Sequence, residues 1–356
     1  MSLNIDAEPD FDRFLDVLLL RKAWRRPPLF DFHIDLTHKS RILGRPVVSA
    51  EDETRFFARA GYDYAQITIR IPHEELDRAI AEETAASGAA SHSGQARVIH
   101  SLDQFNAQRW SWQSLAEGDR SAIRLRLDHL CRAAEALPEG MKIILHTDDV
   151  FTFTWQMMGF TELCMAIYES PDLVRDVMRS LASASVQIAE AAVAAAGDRI
   201  GAVMYSDDIA YTEGLMCGPD FFREHLIPHL HNLAAIASRI NAPLIYHSDG
   251  RLYDMFDNLA AAGVRAIQPL EPKSMDPVLI QQRWPGRFCL LGNIDLDLMT
   301  RGSSDEVERM VRDRIDTLNV RGGYMPGVSN TVPAYVNHDN YVRMIRTVYS
   351  YPDEPI

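Results

Sequence analysis

Cysteine is scarce in this sequence, and no two cysteines stand close together. The 356 residues contain four, Cys131, Cys164, Cys217 and Cys289, and none belongs to a C-x-x-C pair. A small secreted domain held by disulfides needs a denser set, and a four-cysteine zinc site needs paired spacing. We therefore expect reduced thiols that are mostly packed inside the protein.

Positive charge and long apolar runs are also in short supply. The chain has 36 Lys+Arg against 50 Asp+Glu, a formal net charge of −14, which argues against nucleic-acid and anionic-membrane partners. No apolar run approaches the roughly 18 residues of a membrane span. The first residues carry acidic side chains where a signal peptide has basic ones. We expect a cytoplasmic protein.

Short β-rich runs that alternate with helical periodicity organise the chain. The composition, 47% hydrophobic and 24% charged, is typical of a globular protein. Alternating strands and helices predict a parallel sheet, and eight such units predict an α/β (β/α)₈ TIM barrel. A doubly wound open sheet is the alternative. The eight runs are LFDFH (29–33), YAQITI (64–69), KIILH (142–146), AVMYS (202–206), LIYHS (244–248), AIQPL (266–270), FCLLG (288–292) and GYMPG (323–327).

We predict one domain over residues 1–356, with a long excursion at residues 71–136 between the second and third strands. Within this region residues 83–97 are small, polar and without periodicity, which indicates a mobile loop. The loop is either a tolerated surface insertion or a lid over the barrel mouth. Trp110 and Trp112 are expected to pack within the excursion.

Polar side chains follow the predicted strands, where a TIM barrel has its active site. Such residues also commonly cap the next helix, and capping is an equal alternative for Asp149, Asp207 and Asp295. A whole ring of carboxylates and imidazoles would be costly unless a cation offset the repulsion. In chain order the ring comprises His33, Asp35, Arg70, His146, Asp148, Asp149, Asp207, Asp208, His247, Asp249, Glu271, Asn293, Asp295, Ser329 and Asn330.

The pattern His247-Ser-Asp249, with Glu271 after the next strand, is the sharpest candidate metal site. Residues i and i+2 of an extended strand project to the same side, so His247 and Asp249 can hold one ion. Glu271 is a candidate third ligand. One nitrogen and two oxygens suit zinc, or alternatively manganese or iron. The alternative is a hydrogen-bonded His–Asp pair without metal.

Four collinear segments of the chain, residues 205–230, 246–272, 290–315 and 322–345, resemble segments of the uroporphyrinogen decarboxylase superfamily. The resemblance implies a single (β/α)₈ barrel that is often dimeric, so a homodimer is a candidate state. Members include true decarboxylases, corrinoid-linked methyltransferases and cobalamin-independent methionine synthase. The matching segments are YSDDIAYTEGLMCGPDFFREHLIPHL (205–230), YHSDGRLYDMFDNLAAAGVRAIQPLEP (246–272), LLGNIDLDLMTRGSSDEVERMVRDRI (290–315) and GGYMPGVSNTVPAYVNHDNYVRMI (322–345).

The chain departs from true uroporphyrinogen decarboxylases at their substrate-binding positions. Those enzymes carry R-Q-A-G-R after the first strand, where this chain reads FHIDLT (32–37). Arg70 stands where they have an aspartate, Asn330 stands where they have a histidine, and their catalytic tyrosine has no counterpart near Trp155. An acid-lined cavity would also repel an octacarboxylate substrate. These differences disfavour decarboxylation of uroporphyrinogen itself.

The methyltransferase branch fits the metal pattern better. Its zinc site is H-x-C, and in methionine synthase a glutamate follows 22 residues after that cysteine, as Glu271 follows Asp249 here. The family's last cysteine falls near Ser329 and Asn330, which are candidate cofactor-binding residues. Carboxylate and amide oxygens in place of thiolates make the ion a harder Lewis acid and weaken the preference for zinc. Thiol activation is therefore not expected.

Three functions remain open at this point. The first is a metal-dependent methyltransferase or demethylase with a small substrate. Its acceptor would be a corrinoid on a partner protein, since the chain lacks a D-x-H-x-x-G motif. Here Asp208, Asp148 or His146 is the general acid or base.

The second function is a decarboxylase acting on another carboxylated small molecule. Arg70 would hold the carboxylate, while Asp208 or His33 supplies a proton. The alternative is that Arg70 forms a salt bridge with a neighbouring carboxylate of the protein and binds no substrate. The third function is a non-catalytic small-molecule binding or partner subunit of a corrinoid system.

Overall fold

The computed structural model describes residues 3, 5, 8–87 and 96–356 of the chain. Each of the eight predicted β-rich runs overlaps a strand, and the short strands β5, β6 and β11 were not anticipated. The strands are β1 (Phe32–Ile34), β2 (Tyr64–Thr68), β3 (Lys142–Thr147), β4 (Ile200–Ser206), β5 (Ala210–Tyr211), β6 (Gly214–Leu215), β7 (Leu244–His247), β8 (Val264–Gln268), β9 (Cys289–Ile294), β10 (Tyr324–Val328) and β11 (Thr331–Val332).

The helices alternate with the strands, as the apolar periodicity predicts. Several begin at side-chain caps; the Ser303 and Glu306 side chains form a capping box at the start of α16. The helices are α1 (Phe11–Leu18), α2 (Leu36–Leu43), α3 (Ala50–Arg59), α4 (Glu74–Ser87), α5 (Leu102–Ala107), α6 (Gln113–Ala116), α7 (Arg124–Ala136), α8 (Val150–Met158), α9 (Phe160–Glu169), α10 (Pro171–Ala196), α11 (Pro219–His225), α12 (Ile227–Ser238), α13 (Phe256–Ala261), α14 (Pro277–Arg283), α15 (Leu296–Arg301), α16 (Ser304–Leu318) and α17 (His338–Tyr349).

Seven strands form one curled parallel sheet in the order β10-β9-β8-β7-β4-β3-β2. The order follows the chain without the reversal that defines a doubly wound sheet, so that alternative is wrong. The central strands β4 and β9 are buried along their whole length, as expected of a parallel sheet covered by helices. This architecture is consistent with a TIM-like barrel, while complete closure by eight strands stays a prediction.

The first strand lies apart from this sheet. β1 pairs in parallel with β11, and the Phe30 backbone N–H donates to the Pro326 carbonyl at 3.0 Å. Toward β2 the contacts of residues 31 and 33 are made by side chains. The Tyr64 hydroxyl accepts from the Asp31 N–H at 2.9 Å, and Gln66 Oε1 accepts from the His33 N–H at 3.4 Å. We call this junction of residues 30–34 with β2 the β1–β2 seam.

Asp31 forms hydrogen bonds that link the start of β1 to β10 on one side and to Tyr62 and β2 on the other. Its buried carboxylate accepts from the Val328 N–H at 2.8 Å and from the Tyr62 hydroxyl, and its carbonyl accepts from the Tyr64 hydroxyl at 2.8 Å. Close approach also requires glycine at position 327, because a Cβ there would lie 1.6 Å from the Phe30 carbonyl oxygen. Burial raises the pKa of Asp31 to about 6.

The described residues between β2 and β3 form four α-helices. As expected, Trp110 packs inside this region, with its ring stacked 5.7 Å from Phe105 and 5.2 Å from Trp112. The prediction of a loop over 83–97 is wrong for residues 83–87, which belong to α4. Glutamate and alanine, which favour the helical conformation, continue into this segment and extend the helix. Residues 88–95 lie outside the described residues, and the lid stays a prediction.

The structure bears on two expectations from the composition, namely packed thiols and the lack of a membrane-spanning segment. Cys289 is buried, and Cys131, Cys164 and Cys217 are half-buried free thiols. Among the helices of the described residues, none combines the length and apolar character needed to cross a bilayer.

Replacement of Asp31 tests how β1 is held. Asp31→Ala leaves two buried donors without an acceptor, and we expect the free energy of unfolding to fall by about 3 kcal/mol. Asp31→Asn keeps one acceptor oxygen and should cost less than about 1 kcal/mol near pH 7. Urea denaturation followed by circular dichroism measures both.

The same pair of variants gives a pH dependence. Because folding raises the pKa of Asp31 from 3.8 to about 6, its stabilising contribution is complete below about pH 4 and is lost as the pH rises through 6. The total loss is about 3 kcal/mol for a shift of roughly two units. Asp31→Asn lacks this ionisation, so it should gain stability relative to the native protein between about pH 4 and pH 6, with little further change above pH 7. A difference that stays constant with pH would contradict the assignment.

Candidate active site and metal group

His247 ends β7 with its ring orientation fixed from the neighbouring strand. Its Nδ1 hydrogen-bonds to Gln268 Oε1, and Gln268 Nε2 donates to the Asn330 carbonyl at 3.1 Å. Because an amide oxygen only accepts, Nδ1 carries the hydrogen and the lone pair lies on Nε2. The sequence analysis did not identify Gln268. Its position at the end of the strand that follows β7 could have indicated it, because His247 and Gln268 pair with each other in the parallel β7–β8 ladder.

Three ligand atoms converge at this point. His247 Nε2 lies 3.8 Å from Asp208 Oδ1 and 3.9 Å from Asp249 Oδ1, and the three residues offer ligand atoms within 4.8 Å of one another. We call Asp208, His247 and Asp249 the metal group. Parallel pairing of Ser206 with His247 places Asp208 beside β7. The sequence prediction had Asp208 as an acid or base and did not assign it as a ligand.

Glu271 lies next to the metal group but is not one of its three members. Its Oε2 accepts from the Gly250 N–H and from the Ser274 hydroxyl, both at 3.1 Å. The prediction that Glu271 is a ligand therefore stays a prediction. In the described residues, Asp208 takes the third place that the sequence pattern gave to Glu271.

Asn330 and Ser329 support the site from the loop after β10. Asn330 Nδ2 donates to both carboxylate oxygens of Asp249, at 2.9 and 2.8 Å, and so orients that side chain. The Ser329 hydroxyl accepts from the Leu296 N–H at 3.2 Å at the start of α15. Their assignment as cofactor-binding residues stays a prediction, and the observed contacts are to the protein.

The donor set of the metal group fits a divalent cation. Tetrahedral ligands around an ion such as zinc stand about 3.4 Å apart, so these atoms need to move together by less than ~1.5 Å. Burial raises the pKa of Asp249 to about 6, His247 opposes the rise, and the negative charges of Asp208 and Glu271 add to it. A cation would remove this repulsion. One imidazole nitrogen and two carboxylates suit zinc, manganese or iron.

Three imidazoles surround Phe32, and one of them is that of His247 in the metal group. The Phe32 ring centroid lies 4.1 Å from that of His33, 4.9 Å from that of His146 and 4.5 Å from that of His247. Burial, together with the charge of Arg70, lowers the pKa of His33 to about 3. Burial also lowers the pKa of His146 well below its ordinary value. His33 and His146 are therefore neutral near pH 7.

His146 belongs to a hydrogen-bonded chain. The Ser206 hydroxyl donates to Asp149 at 2.7 Å, so it accepts from His146 Nε2–H at 2.8 Å. His146 Nδ1 then accepts from the Thr68 hydroxyl at 3.1 Å. Asp149 makes no side-chain cap bond to α8, so the capping alternative is wrong for this residue. Burial and the neighbouring Asp148 and Asp207 raise its pKa well above the ordinary value.

The capping alternative holds elsewhere. Asp207 accepts from the Phe151 and Thr152 backbone N–H groups at 2.7 and 2.8 Å, and from the Tyr205 hydroxyl at 2.7 Å. It thus caps α8, the helix that follows β3, and not the helix after its own strand, because β3 and β4 end side by side. Asp295 caps α15 and Asp35 caps α2 in the expected way.

Arg70 forms an ion pair with Asp148. Its Nε lies 3.3 Å from the buried Asp148 Oδ2, and about half of the Arg70 side chain is exposed. Asp148 Oδ1 accepts from the Ile71 N–H at 3.1 Å. Burial raises the pKa of Asp148 to about 6, and the Arg70 charge opposes the rise. The structure therefore shows the second of the two alternatives for Arg70, an ion pair with a neighbouring carboxylate.

The fold and the site define a class of protein: a parallel α/β sheet whose strand ends carry imidazoles and carboxylates around a candidate cation site. Within that class the chain belongs to the uroporphyrinogen decarboxylase (URO-D) family, whose model matches residues 106–351. This match confirms the resemblance drawn from the sequence segments. No curated protein sequence matches the chain.

A solved structure shares the overall fold of this chain. A methyltransferase from Methanosarcina mazei superposes with a TM-score of 0.65 at 16% identity, covering 95% of this chain and 97% of that one. A putative vitamin-B12-independent methionine synthase from Listeria monocytogenes is 8% identical over 92% of this chain and 98% of that one. Its TM-score is 0.46.

Removal of the Asp207 carboxylate tests its capping role. Asp207→Ala leaves two N–H groups of α8 and the buried Tyr205 hydroxyl without their acceptor. We expect the free energy of unfolding to fall by about 3 kcal/mol, measured by denaturant titration. Asp128→Ala, on the exposed face of α7, is the control and should change stability by less than about 0.5 kcal/mol. Equal effects of the two changes would contradict the capping role.

Proposed function

We propose that this protein is a metal-dependent methyltransferase or demethylase that moves a methyl group from a small substrate to a corrinoid on a separate protein. The observation that carries the proposal is the metal group, in which Asp208, His247 and Asp249 bring three ligand atoms within 4.8 Å of one another. Membership of the URO-D family and the fold shared with a methyltransferase support the same class of reaction. Zinc is the proposed ion, with manganese or iron as alternatives.

The residues around the metal group are arranged to hold a cation with little movement. Gln268 keeps His247 Nε2 free to bind, Asn330 holds both oxygens of Asp249, and the Asp249 N–H holds Asp208 Oδ1 at 2.8 Å. Hydrogen bonds from the protein to metal-binding side chains raise the metal affinity because they fix the orientation of those side chains. A bound divalent cation would supply a Lewis acid that stabilises negative charge on the reacting atom of the substrate.

Proton transfer falls to the buried acids beside the metal group. Loss of the methyl group leaves both bonding electrons on the substrate heteroatom, which then takes a proton. Asp148 has a pKa near 6 and is therefore partly protonated at mildly acidic pH. Asp149 is linked through Ser206 to His146 and is the acid at the inner end of that chain. Sequence reasoning gave Asp149 no catalytic role, and we add it to Asp148 and His146 as a candidate acid.

The decarboxylase alternative requires a free cation to hold a substrate carboxylate. Arg70 was the residue proposed for that role, and its charge is already matched by Asp148 at 3.3 Å. The acids at the strand ends would further weaken the binding of an anionic substrate. We therefore place methyl transfer ahead of decarboxylation.

Elemental analysis tests the metal group. The purified native protein should carry close to one equivalent of zinc, manganese or iron, and His247→Ala and Asp208→Asn should each lower the metal affinity by at least about tenfold. Glu271→Gln separates the two ligand sets. It should keep the metal if Asp208 is the third ligand and lose it if Glu271 is.

The matched control is Asp254→Asn, which removes an exposed carboxylate a few residues beyond the metal group. It should leave the metal content unchanged. A native protein that binds none of the three ions, even when they are added at millimolar concentration, would remove the basis of the proposal.

Methyl transfer is tested with reduced cobalamin as the acceptor. The metal-loaded protein should convert cob(I)alamin to methylcobalamin, seen by absorbance, with at least one member of a panel of small methyl ethers, methylamines and methyl thioethers. His247→Ala should lower the rate by at least about 100-fold because it removes a metal ligand. Release of carbon dioxide from a carboxylated analogue, without methylcobalamin from any donor, would favour the decarboxylase instead.

A further inference from the structure

A cavity of about 630 Å³ lies at the edge of the sheet opposite the metal group. Its lining includes Leu290 near the start of β9 and Gly323 just before β10, so it lies where these strands begin. The metal group follows the ends of β4 and β7, and the two places have no residue in common. We call this cavity the basal pocket. Its volume is within the range of about 300–1,000 Å³ that is typical of small-molecule sites.

The walls of the basal pocket are mainly aliphatic. Val320 is 62% exposed and Val278 is 36% exposed, whereas the deeper wall is buried. A hydrocarbon chain that covered these side chains would remove apolar surface from water on both partners. The aliphatic residues of the lining are Leu20, Val278, Ile280, Leu290, Leu318 and Val320.

The Trp284 ring is held in a fixed position in this wall. Its Nε1–H donates to Asp257 Oδ1 at 2.9 Å, and the Tyr253 ring stacks on it with 6.2 Å between the centroids. The guanidinium of Arg283 lies 4.7 Å from the centroid of the Trp284 ring. A side chain that is already fixed loses little conformational entropy when a ligand binds beside it.

The charge at the rim of the basal pocket is positive. Arg321 is the one charged residue in the described lining. Arg283 and Arg287 flank the pocket, because each is next in the chain to a lining residue, Trp284 or Phe288. Within the part of the chain that the structure describes, none of these three arginines is paired with a carboxylate. In a chain with a net charge of −14, this group of unmatched cations favours an anion.

We propose that the basal pocket binds a medium-chain fatty acid. The acyl chain lies against the aliphatic wall between Trp284 and Val320, and the carboxylate lies at the rim with Arg321. The carboxylate stays partly in water, so neither charge has to be fully desolvated. The pocket is at the opposite edge of the sheet from the metal group. The inference is therefore independent of the proposed methyl transfer, and its failure would leave that proposal unchanged.

Decanoate is the probe for the experiment, titrated into the full-length protein and followed by calorimetry. We expect one site per chain with a Kd of about 0.1 mM, as a ligand of about a dozen non-hydrogen atoms allows. From hexanoate to decanoate the affinity should rise about threefold for each methylene group, because each one removes apolar surface from water. Decyltrimethylammonium has the opposite charge and should bind at least about tenfold more weakly than decanoate. A crystal soaked in decanoate should contain the acyl chain beside Trp284.

Arg321→Gln tests the rim. It should lower the decanoate affinity about fivefold because it removes a positive charge, and it should leave the affinity for uncharged decanol unchanged. Arg124→Gln, at an exposed position of α7, is the matched control and should bind decanoate as the native protein does. Val320→Glu tests the wall: it adds a carboxylate to the pocket, so the decanoate affinity should fall at least about tenfold. Circular dichroism establishes that all three variants fold.

Three results would overturn the proposal: an affinity that does not depend on chain length, equal decanoate affinity in the native and Arg321→Gln proteins, or binding that does not saturate at one site per chain. A second copy of the chain is the other candidate for this apolar surface. Sedimentation of the native and Val320→Glu proteins distinguishes it. A native dimer that dissociates in the variant, with no binding of decanoate to the native protein, would assign the surface to a subunit interface instead.

Discussion

The hydrogen bond between His247 Nδ1 and Gln268 Oε1 determines what the rest of the site can do. It leaves the lone pair on Nε2, the atom that faces the carboxylates of Asp208 and Asp249. Without that bond the ring could rotate, or present a hydrogen where a cation needs a lone pair. Gln268 is itself held through the Asn330 carbonyl, and Asn330 also holds Asp249. One set of contacts across neighbouring strand ends thus prepares two of the three ligand groups.

The β1–β2 seam shows how side-chain contacts take the place of a backbone ladder between two neighbouring strands. Backbone bonds hold β1 toward β10 and β11, whereas the tyrosine and glutamine side chains of β2 make the observed contacts on its other side. Side chains leave wider gaps than a backbone ladder, and a cavity of about 220 Å³ lies at this seam. Asp31 is buried in this junction and its pKa rises to about 6. The arrangement therefore makes part of the stability of the fold depend on pH.

Charge is distributed unevenly around the strand ends. The chain carries a net charge of −14, and burial raises the pKa values of Asp148, Asp207 and Asp249 to about 6. The neighbouring imidazoles of His33 and His146 are held neutral by burial, so they do not balance these acids. A bound cation or protons must do so. Methyl transfer to a corrinoid, as proposed, would use both: a cation at the metal group and a proton from the buried acids.

The sequence by itself determined the strands, their helices and the positions of polar residues at the strand ends. These features follow from local periodicity and from the rule that parallel strands end at one edge. Only the tertiary structure decided which of those residues meet. Asp208 lies with His247 and Asp249 in the metal group, and Gln268 orients the His247 ring. Asp208 and His247 are neighbours because β4 pairs with β7 in one particular register. Register depends on packing between strands far apart in the chain, and a one-residue shift would turn each side chain to the other face.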